Sequence, residues 1–199
     1  MMIRRSIALI GVGLSALFLT GCTVKGRSTD TPRTVDEQLI LDQSLAQTLA
    51  HARINIPRGQ TVALETVSLI PDAAVPDRTF VQAGIMRWLG RQGLRMPGDK
   101  KETYLLRVMI HAFGTNSNEF FAGLPPITAG LFPISVPELA FFKRATQSGF
   151  TRFSIDIYEQ ASGRLLATTP TYEGHTWAKG NTALFFITWS QSNLNPGAP

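Results

Sequence analysis

The chain has 199 residues, 44% of them hydrophobic and 17% charged, with a formal net charge of +5, one cysteine and three histidines. That apolar share supports an ordinary core and excludes a disordered polymer. A single cysteine excludes an intramolecular disulfide, and the small, unclustered basic excess points away from nucleic acid as a partner.

Arg4 and Arg5 give a positive start, residues 7–19 are uncharged and mostly apolar, and small residues lead into Cys22. This is the layout of a secretory signal peptide over residues 1–21. The run is shorter than the ~20 apolar residues of a membrane-spanning helix. Leu19-Thr20-Gly21-Cys22 resembles the lipobox of bacterial lipoproteins. The resemblance implies cleavage between Gly21 and Cys22, a diacylglycerol-modified Cys22 sulfur and an acylated (palmitate-type) N-terminus. It also accounts for the lone cysteine; a plain secretory signal with a coincidental cysteine is the rival reading. Loss of Arg4 and Arg5 with the signal lowers the formal charge from +5 to +3. Thr23 is not the acidic residue associated with inner-membrane retention, so the resemblance implies the outer membrane, facing the periplasm.

Residues 22–33 read as the lipidated cysteine and a short polar tether broken by Pro32, able to extend to about 35 Å at most. The remaining 34–190 suit one domain, since domains commonly run to roughly 100–200 residues, and 191–199 read as a frayed tail. Thr34-Val35-Asp36-Glu37 is a capping box, and Leu41, Leu45 and Leu49 repeat every four residues behind it, which predicts a helix ending before Pro57. Residues 61–69 are β-branched and roughly alternating, a strand. Asp77 is a candidate N-cap for a second helix ending before Gly93, with Phe80, Val81, Ile85, Trp88 and Leu89 on one face. Strands are predicted over 104–113, with Leu106, Val108 and Ile110 on one side, and over 150–158, with Phe153, Ile155 and Ile157 inward. A hairpin turn over 159–163 then leads to a fourth strand over 165–177. The expected fold is α+β: a small mixed sheet of about four or five strands with two helices on one face. The element order is similar to small envelope lipoprotein domains of the curli-secretion and Tol type.

Residues 114–149 form a long connection holding Phe120, Phe121, Leu124, Leu131, Phe132, Phe141 and Phe142, four prolines and several glycines. The prolines argue against a long helix or a central strand. One reading is an apolar lid folded onto the sheet, with a short helix over 138–147. The other is an exposed patch that touches a partner or the membrane. The run 183–189, too short to span a bilayer as a helix, poses the same choice between a strand covering a sheet edge and membrane-interface docking through Trp189.

His51, His111 and His175 lie far apart without a second ligand at metal spacing, so no metal or other cofactor is expected. No Gly-x-Ser-x-Gly elbow or phosphate-binding Gly-Lys-Ser/Thr loop occurs. Glu65, Glu119, Asp156, Glu159 and Glu173 are candidates for a carboxylate pair, but strand positions facing outward predict solvated groups. No catalytic residue is selected.

Three blocks carry a further resemblance: Pro32-Arg33-Thr34-Val35-Asp36-Glu37-Gln38-Leu39, Val136-Pro137-Glu138-Leu139-Ala140-Phe141-Phe142-Lys143-Arg144, and Gly163-Arg164-Leu165-Leu166-Ala167. With the lipobox, they are similar to a family of bacterial lipoproteins grouped as a domain of unknown function, over most of residues 20–180. The resemblance implies no activity, and it makes the Pro-Glu-Leu block a structural or docking feature. The expected function is a non-enzymatic, lipid-anchored envelope module that assembles or docks. Its partners are the membrane, through Cys22, and another envelope protein. The alternatives are a binder of an apolar ligand beneath 114–149 and a hydrolase of envelope polymers.

Overall fold

The computed structural model describes residues 23–28, 34–68, 75–98, 102–128, 135–136 and 138–195. The signal peptide, Cys22, Leu131 and Phe132 lie outside the described residues. In chain order the elements are β1 (Thr23–Ser28), α1 (Val35–His51), β2 (Val62–Ser68), α2 (Val75–Arg91), β3 (Tyr104–Leu124), β4 (Ile127–Thr128), β5 (Ser135–Val136), β6 (Leu139–Glu159), β7 (Leu165–Thr168), β8 (Tyr172–Ala183) and β9 (Ile187–Ser192). Seven strands form one sheet along the path β1-β3-β6-β8-β9, with β2 beside β3 and β7 beside β6; β4 and β5 form a separate pair. The fold is α+β, with a larger sheet than expected.

The chain divides into two compact units. Among the described residues, the helix-bearing unit comprises 34–68, 75–98, 102–116, 148–177 and 193–195; the all-β unit comprises 23–28, 117–128, 135–136, 138–147 and 178–192.

Within the helix-bearing unit, α1 starts as its sequence dictates. Thr34 Oγ1 accepts the Glu37 N–H at 3.3 Å, and the Thr34 N–H donates back to Glu37 Oε2 at 2.9 Å. This reciprocal pair satisfies two amide donors that the first turn leaves without helical partners. The second helix begins at Val75, so Asp77 lies in its first turn rather than at its cap, where a carboxylate still suits the helix dipole. It stops at Arg91, and Gly93 follows at φ 85°, a left-handed conformation that glycine adopts without a Cβ clash.

The helices cover one face of the sheet. Val81, Ile85, Trp88 and Leu89 of α2 and Leu45 of α1 pack in one cluster with Leu106, Val108 and Ile110 of β3 and Phe153, Ile155 and Ile157 of β6. Alternate residues of a strand share a face, so both expected inward sets are in place. Phe80 is the exception: it is exposed and lies beside the Phe113 ring at 6.3 Å. β2 runs parallel to β3, from Val62 opposite Tyr104 to Ser68 opposite Ile110.

A polar seam joins α1 to the sheet. Ser44 Oγ and Thr151 Oγ1 are 2.6 Å apart, Thr48 Oγ1 donates to the Ser44 carbonyl at 2.7 Å, and Thr176 Oγ1 donates to the Ile40 carbonyl at 2.6 Å. All four side chains are buried. Glycines permit this approach: a Cβ on Gly149 would lie 2.9 Å from the Ile40 oxygen, and one on Gly174 would lie 2.9 Å from the Thr48 nitrogen.

Several expectations differ from the structure, each for a definable reason. The connection over 114–149 is mostly strand, because β3 continues to Leu124 and β6 already begins at Leu139. Pro125, Pro126, Pro133 and Pro137 all fall between those two residues, so neither strand contains a proline and the ladder keeps its donors. The helix expected over 138–147 is therefore part of β6. Where one fourth strand was expected over 165–177, Pro170 separates β7 from β8. The tether expected over 22–33 includes β1, next to β3 in the sheet. Of the expected tail, residues 191–192 complete β9, and Asn195 exchanges hydrogen bonds with Gln43 at 2.7 and 2.9 Å.

Candidate functional site

The all-β unit carries a surface of apolar side chains. Along β3 and β6, residue number rises on one strand as it falls on the other: His111 meets Ser154, Glu119 meets Lys143, and Gly123 lies against Ala140. The two strands are therefore antiparallel, and so are β6 and β8, where Phe150 meets His175, Arg144 meets Asn181, and the Ala140 carbonyl meets Phe185.

On these ladders Phe120 lies 6.0 Å from Phe142, centroid to centroid, and the Arg144 guanidinium sits 5.5 Å above the Phe142 ring. Arg144 Nε donates to Asn181 Oδ1 at 2.9 Å, which fixes the guanidinium over that face. Lys143 Nζ reaches Glu138 Oε1 at 2.9 Å and Glu119 Oε1 at 3.3 Å. The bond to Glu138, helped by Glu119, holds the Lys143 ammonium above its ordinary value against the opposing effect of desolvation.

Beyond this ladder, β8 pairs with β9 from Ala178 opposite Ser192 to Ala183 opposite Ile187. The three residues between, Leu184, Phe185 and Phe186, make the turn. Leu184 has φ 47° and Phe185 φ 73°, a left-handed region that large side chains rarely enter. Their N–H groups donate to β6, Leu184 to the Phe141 carbonyl at 2.9 Å and Phe185 to the Ala140 carbonyl at 3.0 Å. The Phe185 ring stands edge-on to Phe141 at 6.5 Å. The turn residues are open to solvent, Phe186 at 78% of its full exposure, and Ile187 and Trp189 of β9 are exposed as well.

The sequence-selected patch is thus split by the fold. Phe120, Leu124 and Phe141 are exposed, the last by 60%, and Phe142 is half-buried. Phe121 is buried and belongs to the packing of this unit rather than to its surface. Leu184, Phe185, Phe186 and Ile187 belong to the run 183–189, expected as an edge strand or as a docking segment through Trp189; residues 184–186 form a turn and Ile187 begins β9. The available signal was charge: no residue from Gly180 to Pro199 is charged.

The remaining polar groups are dispersed. His51 Nδ1 is 2.8 Å from the Gln47 carbonyl, His111 Nε2 is 3.0 Å from Ser154 Oγ, and His175 lies against Phe150. Glu65 pairs with Arg107 at 3.0 Å, and that hydrogen bond raises the guanidinium further above its already high value. Asp156 accepts from Thr168 at 2.8 Å, and Glu159 accepts from Ser162 at 2.6 Å. Among the described residues no group of three or more His, Cys, Asp or Glu is placed to hold a metal ion, and no helix is long and apolar enough to cross a membrane.

The fold and surface define an α+β protein with, among the described residues, two helices on a mixed sheet and an apolar hairpin turn. No family model matches the sequence, and no curated protein matches it. Among solved structures, the chain is similar to a PelC dodecamer subunit from Paraburkholderia phytofirmans, with 9% identity over 88% of this chain and 85% of that one, at a TM-score of 0.27. A superposition that weak carries no inference about this chain.

Proposed function

We propose that the protein is a non-enzymatic docking module of the bacterial cell envelope, anchored by a lipid on Cys22 and resembling the lipoproteins that its sequence blocks suggest. The observation that carries the docking role is the exposed aromatic surface of the all-β unit: Phe120, Phe141, Phe185 and Phe186 all stand on its surface. Apolar clusters of this kind on soluble domains mark sites of contact with other molecules. The anchor rests on the lipobox resemblance, and with it the placement at the outer membrane, facing the periplasm. Another envelope protein is the partner proposed for the Phe120–Phe141 face.

The test is photo-crosslinking in cells from a reactive side chain at Phe141, with mass spectrometry of the membrane fraction. A defined envelope protein captured from Phe141 but not from exposed Gln160, together with lipid mass on Cys22, is the expected result. Equal labelling from both positions would sink the docking role, and an unmodified Cys22 would sink the anchor.

A further inference from the structure

We infer that the turn Leu184-Phe185-Phe186, with Trp189, inserts into one leaflet of the bilayer as a membrane contact separate from the lipid anchor. The inference deepens the docking reading above and rests on its anchored placement. Four observations select a lipid surface over a protein.

First, the turn has the wrong residues for water. Left-handed turn positions are normally filled by Gly, Asn or Asp, yet here they hold leucine and phenylalanine, with a third large apolar residue, Phe186, following. Second, β9 ends the sheet path and is exposed along its whole length. Proteins blunt such free edges with charges, above all lysine. This edge has none, and neither does the chain from Gly180 to its end. An uncharged hairpin tipped with Leu, Phe, Phe and Ile is costly in water and at home at an acyl boundary. Its Ser190, Gln191 and Ser192 side chains, farther from the tip than Thr188, would then face headgroups.

Third, Trp189 sits three residues behind Phe186, the place where indoles concentrate at the headgroup level. Fourth, β1 begins at Thr23, directly after Cys22, and lies in the same compact unit as this hairpin. A lipid on Cys22 would therefore anchor this unit. The hairpin enters without crossing: the six residues of β9 extend about 20 Å, whereas a hydrocarbon core is ~30 Å thick and a transmembrane strand needs ~9–11 residues.

The experiment uses the mature lipoprotein in phosphatidylethanolamine/phosphatidylglycerol vesicles, with an environment-sensitive fluorophore on Thr188→Cys. Brominated acyl chains are expected to remove most of its emission, whereas the same label on Gln160→Cys keeps its signal. Adding Phe185→Ser and Phe186→Ser should restore emission from position 188 while the protein stays vesicle-bound. A lipidated, vesicle-bound protein whose position 188 is not quenched overturns the insertion and leaves the anchored reading standing. Shielding of position 188 that grows with protein concentration but ignores brominated lipid also overturns it, in favour of a second copy. A protein without lipid on Cys22 that is still quenched keeps the insertion and fails the anchor.

Discussion

The backbone N–H of Phe185 donates to the carbonyl of Ala140 at 3.0 Å, and this bond holds a phenylalanine at φ 73°. The neighbouring Leu184 is held in the same way by Phe141, at φ 47°. Left-handed backbone costs a residue with a Cβ about 1–2 kcal/mol, so β6 imposes on this turn a conformation that its own side chains disfavour.

Leu184→Asn should therefore stabilise the protein, by about 0.5–1 kcal/mol, since asparagine tolerates the left-handed region. Urea unfolding measures it. A lower midpoint would mean that the Leu184 side chain packs well enough to outweigh the strain.

Gly174→Ala should destabilise by about 1–3 kcal/mol, the usual cost of forcing a methyl group into a packed site. Its Cβ would meet the backbone of Thr48, which cannot rotate away as a side chain does. Thermal unfolding of the variant at unchanged stability would show that α1 can recede from β8 freely.

The Ser44–Thr151 pair predicts non-additivity. Ser44→Ala leaves the buried Thr151 hydroxyl without this partner and should cost about 1–3 kcal/mol, whereas Thr151→Val should cost less, because Ser44 Oγ still donates to the Leu41 carbonyl at 2.9 Å. The double variant should lose less than the sum of the two. Strict additivity in denaturant unfolding would mean the 2.6 Å contact carries no coupling.

Lys143 predicts a pH dependence of definite sign. Its folded value is raised above the unfolded 10.5 by Glu138 and Glu119, so its contribution is complete below that pH and disappears as pH rises through the folded value. The group is only partly shielded, which limits the effect to about 0–1 kcal/mol. The stability gap between the parent and Lys143→Met should be constant from neutral pH to about pH 9 and close above pH 10. A gap that persists unchanged at pH 11 would assign it to packing of the lysine stem.

Much of the helix-bearing unit is legible from local pattern. Thr34 and Glu37 announce a cap that needs only its own first turn. The period-two sets Leu106/Val108/Ile110 and Phe153/Ile155/Ile157 need only a core to face. The all-β unit is less legible, because its signals were read as breaks. The four prolines between Leu124 and Leu139 argued against strands throughout 114–149, although they occupy only the middle. The candidate surface was half legible for the same reason: Phe120 and Phe141 announce themselves by clustering, while Phe121, one residue along an alternating strand, faces inward.

The sequence by itself determined the cap and span of α1, the inward faces of the central strands and the absence of charge after Lys179, since each is a local or compositional property. Tertiary structure decided the rest. Ser44, Thr48, Thr151 and Thr176 are polar residues that only the close approach allowed by Gly149 and Gly174 makes a buried seam. Leu184 and Phe185 have the local preference of a strand and become, with Phe186, a turn in which Phe141 and Ala140, more than forty positions earlier, supply the carbonyls that hold the Leu184 and Phe185 backbone. Hydrogen bonds from a distant strand outweigh local propensity there, and so Phe186, the most exposed aromatic among the described residues, stands on a turn that no turn-forming residue marks.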